Sequence, residues 1–213
     1  MTATIERQVR LDSGVADRFA EIYELSFPPS ERDDTADLVA SIAAGERLCY
    51  IARRNEELIG FAVAFSLDGL SVALLEYLAV APQERNAGVG GALLTHLRTN
   101  LGSDGGAVGM VLEVDPPEEA DGDESTLRER RIGFYLRHGA SVVRCAPRYR
   151  TPNLEREDET VPFALLWVPL STEAPAELAG SHLRRCVEAI LTESYELSRD
   201  DPLVREVVDD LVC

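Results

Sequence analysis

The feature that most limits what this chain can fold into is a strand, a glycine-rich turn and a helix in direct succession. Residues 74–94 have the sequence LLEYLAVAPQERNAGVGGALL. The glycines at positions 88, 90 and 91 lack a Cβ atom, which lets backbone amides approach a ligand closely. The free amides at a helix N-terminus attract a phosphate, and the helix dipole adds to that attraction. We therefore predict an anion-binding turn at residues 85–91, with Arg85 adding a positive charge.

Other kinds of glycine-rich turn fit less well. A P-loop needs Gly-Lys-Ser or Gly-Lys-Thr, and all 21 basic residues of this chain are arginine. A dinucleotide-binding fold needs GxGxxG at the start of a parallel βαβ unit. Residues 88–91 do not match that pattern, and the strands before them form a meander. Taken by itself, the turn leaves a purely structural role open.

Apolar periodicity and the placement of Gly and Pro predict the remaining elements. The predicted strands are residues 5–11, 47–53, 58–67, 71–80, 107–114, 140–145 and 163–169. The predicted helices are residues 15–27, 35–44, 88–101 and 127–138, with Thr35 as the N-cap of the second. The segment 115–124 holds six acidic residues and two prolines, which predicts a mobile loop.

The C-terminal part carries two apolar stripes at helical spacing. They consist of Leu183, Val187, Ile190 and Leu191, and of Leu203, Val207 and Leu211. Two alternatives are open for these helices. They either cover the core of the same domain, or they form the surface of a homodimer or of contact with another partner.

Composition excludes several classes of function. The chain has 213 residues and a formal net charge of −17, which disfavours nucleic-acid binding because that binding depends on clustered cations. No apolar run approaches the roughly 18 residues of a membrane span. The N-terminus lacks the basic start and apolar core of a signal peptide. We expect a cytoplasmic protein that binds neither nucleic acid nor membrane.

The cysteine and histidine positions show no metal-ligand spacing, so they are predicted to be packing or surface residues and no metal is expected. These positions are Cys49, Cys145, Cys186, Cys213, His96, His138 and His182.

Three sequence blocks carry a family resemblance. The pattern Arg85-x-x-Gly88-x-Gly90, preceded by YLAVAP at residues 77–82, resembles the pyrophosphate-binding motif of the GNAT superfamily of N-acetyltransferases. Residues 131–140, RIGFYLRHGA, resemble the late helix of that family, which ends in Phe-Tyr-x-x-x-Gly. Residues 27–32, FPPSER, resemble a stretch found in one GNAT subgroup. Many family members have glycine at the position of Asn86, so this turn is expected to be slightly stiffer.

The resemblance spans residues 5–170 and implies a fold. We expect an α/β GNAT fold, with a central mixed, mostly antiparallel twisted sheet flanked by helices and with extra C-terminal helices. The acyltransferase domain is placed at residues 1–170. Residues 171–213 form a helical extension that packs on the same domain or lies at a dimer interface.

The resemblance also implies transfer of an acyl group from acetyl-CoA, or another acyl-CoA, to an amine, for which we expect the primary amine of a small molecule. It places the oxyanion donor at a backbone amide at or near Leu78. It implies that the acyl-CoA contacts Leu78, Ala79, Val80, Arg85, Asn86, Ala87, Gly88, Val89, Gly90 and Gly91.

Four further residues are candidates for the chemistry. Tyr135 occupies the family's tyrosine position and can protonate the leaving thiolate, because a phenol stays protonated at neutral pH; packing in the core is the alternative. Glu76 and Glu113 each lie in an otherwise apolar strand. Because an unpaired buried carboxylate costs free energy, each should face a cleft or else a solvated edge of the sheet. We prefer Glu76 as the base because it precedes the oxyanion amide on one strand. Glu113 and Glu31 then orient the amine.

Other functions remain open at this stage. The chain could be a GNAT-fold protein that binds acyl-CoA without catalysis, as a sensor or assembly component. A scaffold that acts through its C-terminal helices is a third alternative. The acidic candidates favour a cationic acceptor such as an amino sugar, a polyamine or an amino acid derivative, with a peptide or protein N-terminus as the alternative.

Overall fold

Residues 3–103, 106–156 and 158–212 are described by a computed structural model, and within them a seven-stranded sheet lies at the centre of the fold. Its strands, in spatial order, are β1 (Thr4–Gln8), β2 (Arg47–Arg54), β3 (Glu57–Leu67), β4 (Val72–Val80), β5 (Gly109–Val114), β9 (Ala164–Pro169) and β6 (Ser141–Val142). Neighbouring strands are antiparallel except β4 and β5, which are parallel. Strands β7 (Arg150–Pro152) and β8 (Thr160–Pro162) form a separate hairpin. The predicted mixed, mostly antiparallel sheet is confirmed.

Helices flank the sheet. They are α1 (Ser13–Ser26), α2 (Thr35–Ala44), α3 (Val89–Ser103), α4 (Gly122–Arg137), α5 (Gly180–Ala189) and α6 (Pro202–Asp209). None of the helices in the described ranges has the length and apolar character needed to cross a membrane. Cys213, expected to be a packing or surface residue, lies outside those ranges.

The N-cap of α2 differs from the prediction. Asp34, not Thr35, caps the helix, and its side chain accepts hydrogen bonds from the amides of Ala36 at 2.8 Å and Asp37 at 3.4 Å. An aspartate one residue earlier can reach two of the free amides of the first turn, which explains the difference.

The segment 115–124 is folded, contrary to the prediction of a mobile loop. A 3₁₀ turn covers Pro117–Glu119, and α4 begins at Gly122, five residues before the predicted start. The Ser125 hydroxyl donates to the Pro117 carbonyl at 2.9 Å, and the Arg128 guanidinium donates to the Pro116 carbonyl at 3.2 Å. These contacts tie the acidic segment to the helix, which composition alone could not reveal.

Alternation along β3 separates the two faces of the sheet. Ala62 and Ala64 share a core cluster with the buried leucines of α3. Phe61 and Val63 belong to the core cluster on the other face of the sheet, with residues of α1 and α2. The ring centroids of Phe61 and Phe19 lie 4.2 Å apart there. The sheet is therefore covered on both faces.

The C-terminal helices pack on this same sheet. The four residues of the first apolar stripe are fully buried in a cluster with Leu74, Val111 and Trp167. Val204 and Val207 of α6 lie in the same cluster. The stripes therefore pack against buried side chains of the central sheet.

Candidate active site

A β-bulge in β4 places Glu76. Val63 of β3 pairs with Tyr77, and the next residue, Ala64, pairs with Leu75, so Glu76 is the extra residue of β4. The bulge reverses the alternation, because Leu75 packs in the α3 cluster while Tyr77 packs with α1 and α2. Glu76 and Leu78 therefore do not share the face that simple alternation would give them.

Strands β4 and β5 separate just beyond this point. Their parallel pairing covers Val72 to Leu75 and stops there, whereas β4 continues to pair with β3 as far as Val80. The backbone of β4 past Leu75 therefore borders a cleft on the side of β5. The cleft has a volume of about 1690 Å³, and its walls include Leu78, Ala79 and Val80.

The glycine-rich turn lies at one wall of the cleft. Asn86 and Gly88 both adopt left-handed backbone conformations, with φ of 63° and 80°. Asparagine tolerates this conformation better than most residues, which explains how it replaces the glycine of many family members. Helix α3 begins at Val89, and the Ala92 amide donates to the Gly88 carbonyl at 3.0 Å. The amides before Ala92 belong to the first helical turn, which has no carbonyl of its own helix to bond.

Most of the predicted turn residues line the cleft. They are Arg85, Asn86, Gly88, Val89, Gly90 and Gly91, whereas Ala87 is exposed and is not part of the wall. The Arg85 Nε donates to the Val80 carbonyl at 3.2 Å, which holds the guanidinium beside the turn. A Cβ on Gly91 would lie 2.8 Å from His138 Nε2, so a larger residue there would require the His138 ring at the end of α4 to shift.

Tyr135 lies in the last turn of α4 and lines the same cleft. Its ring packs edge-on against Phe134, with 5.1 Å between the ring centroids. Burial raises the pKa of the Tyr135 phenol to about 12, although the charge of Arg131 partly opposes the rise. The hydroxyl therefore carries its proton at neutral pH.

Glu76 is buried and paired. Arg47 Nε lies 2.8 Å from one carboxylate oxygen, and the Ser194 hydroxyl donates to the other at 2.8 Å. Burial raises the pKa of Glu76, and the Arg47 charge and both hydrogen bonds oppose that rise. Arg47 also approaches Asp33 at 3.5 Å. Both oxygens of Glu76 therefore already have partners, one of them a cation.

Glu113 is also buried in the cleft, but its partners are neutral. The hydroxyls of Tyr149 and Tyr195 donate to its two carboxylate oxygens, the second at 2.9 Å. Burial raises the pKa of Glu113 to about 7, the tyrosine hydrogen bonds lower it, and the charge of Glu76 raises it further. The sequence did not point to either tyrosine, because they lie 36 and 82 positions from Glu113 and no spacing pattern links them.

Glu31 lines the cleft from the 3₁₀ turn Pro29–Glu31. Burial raises its pKa to about 7; the charge of Asp115 adds to the rise, and those of Arg131 and Arg128 oppose it. Asp115 itself forms an ion pair with Arg131. The structure thus brings the predicted residues Glu31, Glu76, Glu113 and Tyr135 to one cleft.

The raised pKa of Glu113 predicts a pH-dependent stability. Its ordinary value is 4.5 and its folded value is about 7, so folding favours the protonated form. The free energy of unfolding should therefore fall as pH rises through this window, by about 2–4 kcal/mol from this group. The free energy of unfolding of Glu113→Gln should therefore increase relative to that of the wild type from pH 5 to pH 8. Urea unfolding of both proteins at the two pH values measures this. A difference between the two proteins that does not change with pH would contradict this.

No set of three or more His, Cys, Asp or Glu side chains in the described part of the chain is arranged to hold a metal ion.

Solved structures share the fold. A protein assigned to the GNAT family of acetyltransferases, from Bacteroides thetaiotaomicron, is 24% identical with a TM-score of 0.70, covering 91% of this chain and 99% of that one. An aminoglycoside 6'-N-acetyltransferase, solved in complex with coenzyme A, is 21% identical with a TM-score of 0.63, covering 81% and 99%. The ribosomal-protein-S18-alanine N-acetyltransferase of Escherichia coli is 21% identical with a TM-score of 0.54, covering 84% and 97%.

Comparison by sequence gives the family. No curated protein matches the chain. The family model described as the acetyltransferase (GNAT) family matches residues 16–139, more than half of the chain. This match covers the bulged strand, the glycine-rich turn and the helix that carries Tyr135. The chain therefore belongs to the GNAT family of acetyltransferases.

Proposed function

We propose that this protein is an N-acetyltransferase that moves the acyl group of acetyl-CoA, or of a related acyl-CoA, to the primary amine of a small molecule. The observation that carries the proposal is one cleft that joins the glycine-rich turn to the separated strands β4 and β5 and to the carboxylates of Glu76 and Glu113. Two similar structures, the aminoglycoside enzyme and a Salmonella typhimurium protein, hold coenzyme A and acetyl-CoA.

We expect backbone groups, more than side chains, to bind the co-substrate. Amides of the first turn of α3, at Gly88, Val89 and Gly90, would donate to the phosphates. Backbone groups of Leu78, Ala79 and Val80 would contact the pantetheine arm. An amide at or near Leu78 would stabilise the negative charge that develops on the thioester oxygen.

The amine must be neutral to attack, so a group in the cleft must take its proton. We assign this role to Glu113. The sequence alone favoured Glu76. Glu76 is ion-paired with Arg47, which stabilises its charged form and weakens it as a base. Within the described residues, Glu113 accepts hydrogen bonds only from the neutral hydroxyls of two tyrosines, and its pKa of about 7 suits a base at neutral pH. As the amine nitrogen bonds to the carbonyl carbon and the carbon–sulfur bond breaks, Tyr135 would protonate the leaving sulfur.

Carboxylates around the cleft favour a cationic acceptor. Glu31, Glu113 and Asp115 lie close enough for their charges to interact; Glu31 is half-buried, and the Glu113 carboxylate is more enclosed. A protonated amine can bind beside them before it loses its proton. An amino sugar or a polyamine fits this description, and one of the similar structures is an aminoglycoside 6'-N-acetyltransferase, so these two classes come first in the test.

The proposed function is tested in two steps. The melting temperature is measured with and without acetyl-CoA, and release of free thiol is then followed against a panel of amino sugars, polyamines, amino acid derivatives and peptides. We expect stabilisation by acetyl-CoA and thiol release that requires one class of amine. Stabilisation with no release for any amine would favour the non-catalytic sensor instead.

Tyr135→Phe should lower kcat by about 10-fold to 100-fold, a modest part of what acid catalysis typically contributes. The affinity for acetyl-CoA should stay nearly constant because the ring still packs against Phe134. The measurement combines steady-state kinetics with calorimetric binding of acetyl-CoA. An unchanged rate, when chemistry is rate-limiting, would show that Tyr135 is structural and that water protonates the thiolate.

A further inference from the structure

One turn near the C-terminus contacts both buried carboxylates of the cleft. Ser194 donates to Glu76 at 2.8 Å, and the next residue, Tyr195, donates to Glu113 at 2.9 Å. Glu76 lies on the bulge of β4 and Glu113 lies near the end of β5, so the turn bridges the two strands where they separate. Both donors lie outside residues 16–139, the segment that matches the family.

The conformation of this turn is specific. Helix α5 continues into a π-helical turn, Ile190–Ser194, and the Tyr195 amide donates to the Ile190 carbonyl at 3.2 Å. A π turn contains an extra residue and so changes the direction of the side chains that follow it; such turns occur often at functional sites. Ile190 and Leu191 are fully buried. The core of the C-terminal helices therefore holds Tyr195 in place.

The contact of Tyr195 matters because of what surrounds Glu113. Tyr149 donates to the other oxygen, and the charged groups that act on Glu113 include the carboxylates of Glu76 and Glu31. No cation in the described residues neutralises Glu113 directly. The two tyrosine hydroxyls thus supply the stabilisation of its charged form and fix the plane of the carboxylate.

We propose that Tyr195 is a positioning residue that holds the Glu113 carboxylate for proton removal from the acceptor amine, and that the C-terminal turn thereby completes the active site of the family domain. This inference rests on the proposed acetyltransferase function. Ser194 anchors the turn to β4 through Glu76.

The test is Tyr195→Phe in the full-length protein. The ring is kept, and the hydroxyl is lost both as donor to the carboxylate and as partner of Thr151. The charged form of Glu113 is then less stabilised, and its pKa should rise by roughly one unit. The acid limb of the kcat/KM profile for the amine should move to higher pH by the same amount. At pH 6.5 the rate should fall several-fold, up to about tenfold, with partial recovery at higher pH. The KM for acetyl-CoA should not change.

A second measurement does not depend on turnover. The protein is labelled with ¹³C-glutamate, the Glu113 carboxyl signal is identified by its loss in Glu113→Gln, and its titration is compared between wild type and Tyr195→Phe. Thr192→Val is the matched control, since its hydroxyl lies in the same π turn but donates to the Glu188 carbonyl at 2.9 Å. Its titration and rate profile should coincide with those of the wild type.

The outcomes separate the two proposals. An unchanged Glu113 titration, or a shifted titration with an unchanged rate profile, would overturn the role of Tyr195. Failure of the wild type to release thiol with any amine would reject the proposed function before any variant is compared. If Tyr195→Phe folds poorly, Tyr149→Phe removes the other donor and should shift the titration of Glu113 in the same direction.

Discussion

Replacing Glu113 by glutamine should lower kcat/KM for the amine by about 10²-fold to 10⁴-fold at neutral pH, the usual contribution of a general base. Glutamine keeps the shape of the side chain and can still meet the hydroxyls of Tyr149 and Tyr195. The loss would therefore report the missing carboxylate. Part of the rate should return as pH rises, because more of the amine is already neutral. The measurement is thiol release at saturating acetyl-CoA between pH 6 and pH 9.

Glu76→Gln provides the comparison. It should lower the rate less than Glu113→Gln, because both carboxylate oxygens of Glu76 already have partners, Arg47 and Ser194. If Glu76→Gln has the larger effect and Glu113→Gln loses less than about threefold, the base is Glu76, as the sequence alone favoured. Losses below about threefold in both variants would assign proton removal to a water chain. If Glu113→Gln instead raises only the KM of the acceptor, Glu113 orients the amine without taking its proton.

Gly88→Val should weaken binding of acetyl-CoA by at least about tenfold. Gly88 has a φ of 80°, a left-handed conformation that costs an ordinary residue about 1–2 kcal/mol and a β-branched residue more. The turn would have to change its conformation, and the amides of the first turn of α3 would move with it. A side chain at this position would also extend into open space at the wall of the cleft. Calorimetric titration with acetyl-CoA measures the effect.

Gly90→Ala is the matched control in the same turn. Its Cβ would lie 3.6 Å from Phe134 and from Val80, which is ordinary van der Waals contact, and Gly90 has no left-handed conformation to preserve. Alanine is also a better helix former than glycine. We expect affinity within about threefold of the wild type. Wild-type affinity in Gly88→Val, with the fold intact by thermal melting, would remove the phosphate site from this turn.

The glycine-rich turn between β4 and α3 was predictable from sequence because the determinants of its conformation are local. The left-handed conformations at Asn86 and Gly88, and the helix start at Val89, depend on neighbouring residues in the chain. The same holds for the main strands and helices, whose periodicity follows from which side of each element is buried. Tyr135 was identified by a short motif at the end of one helix. How the site residues act stays a prediction that the experiments above test.

Only the tertiary structure decided the environments of the carboxylates. A bulge in β4 breaks the alternation that would have paired Glu76 with Leu78, and its position depends on the register with β3. The partners of Glu76 come from β2 and from the C-terminal turn, and those of Glu113 from residues 149 and 195. A buried carboxylate takes its charge state from such neighbours and from loss of water. Because those contacts join residues far apart in the chain, residue types and spacing could nominate the two glutamates but could not distinguish between them.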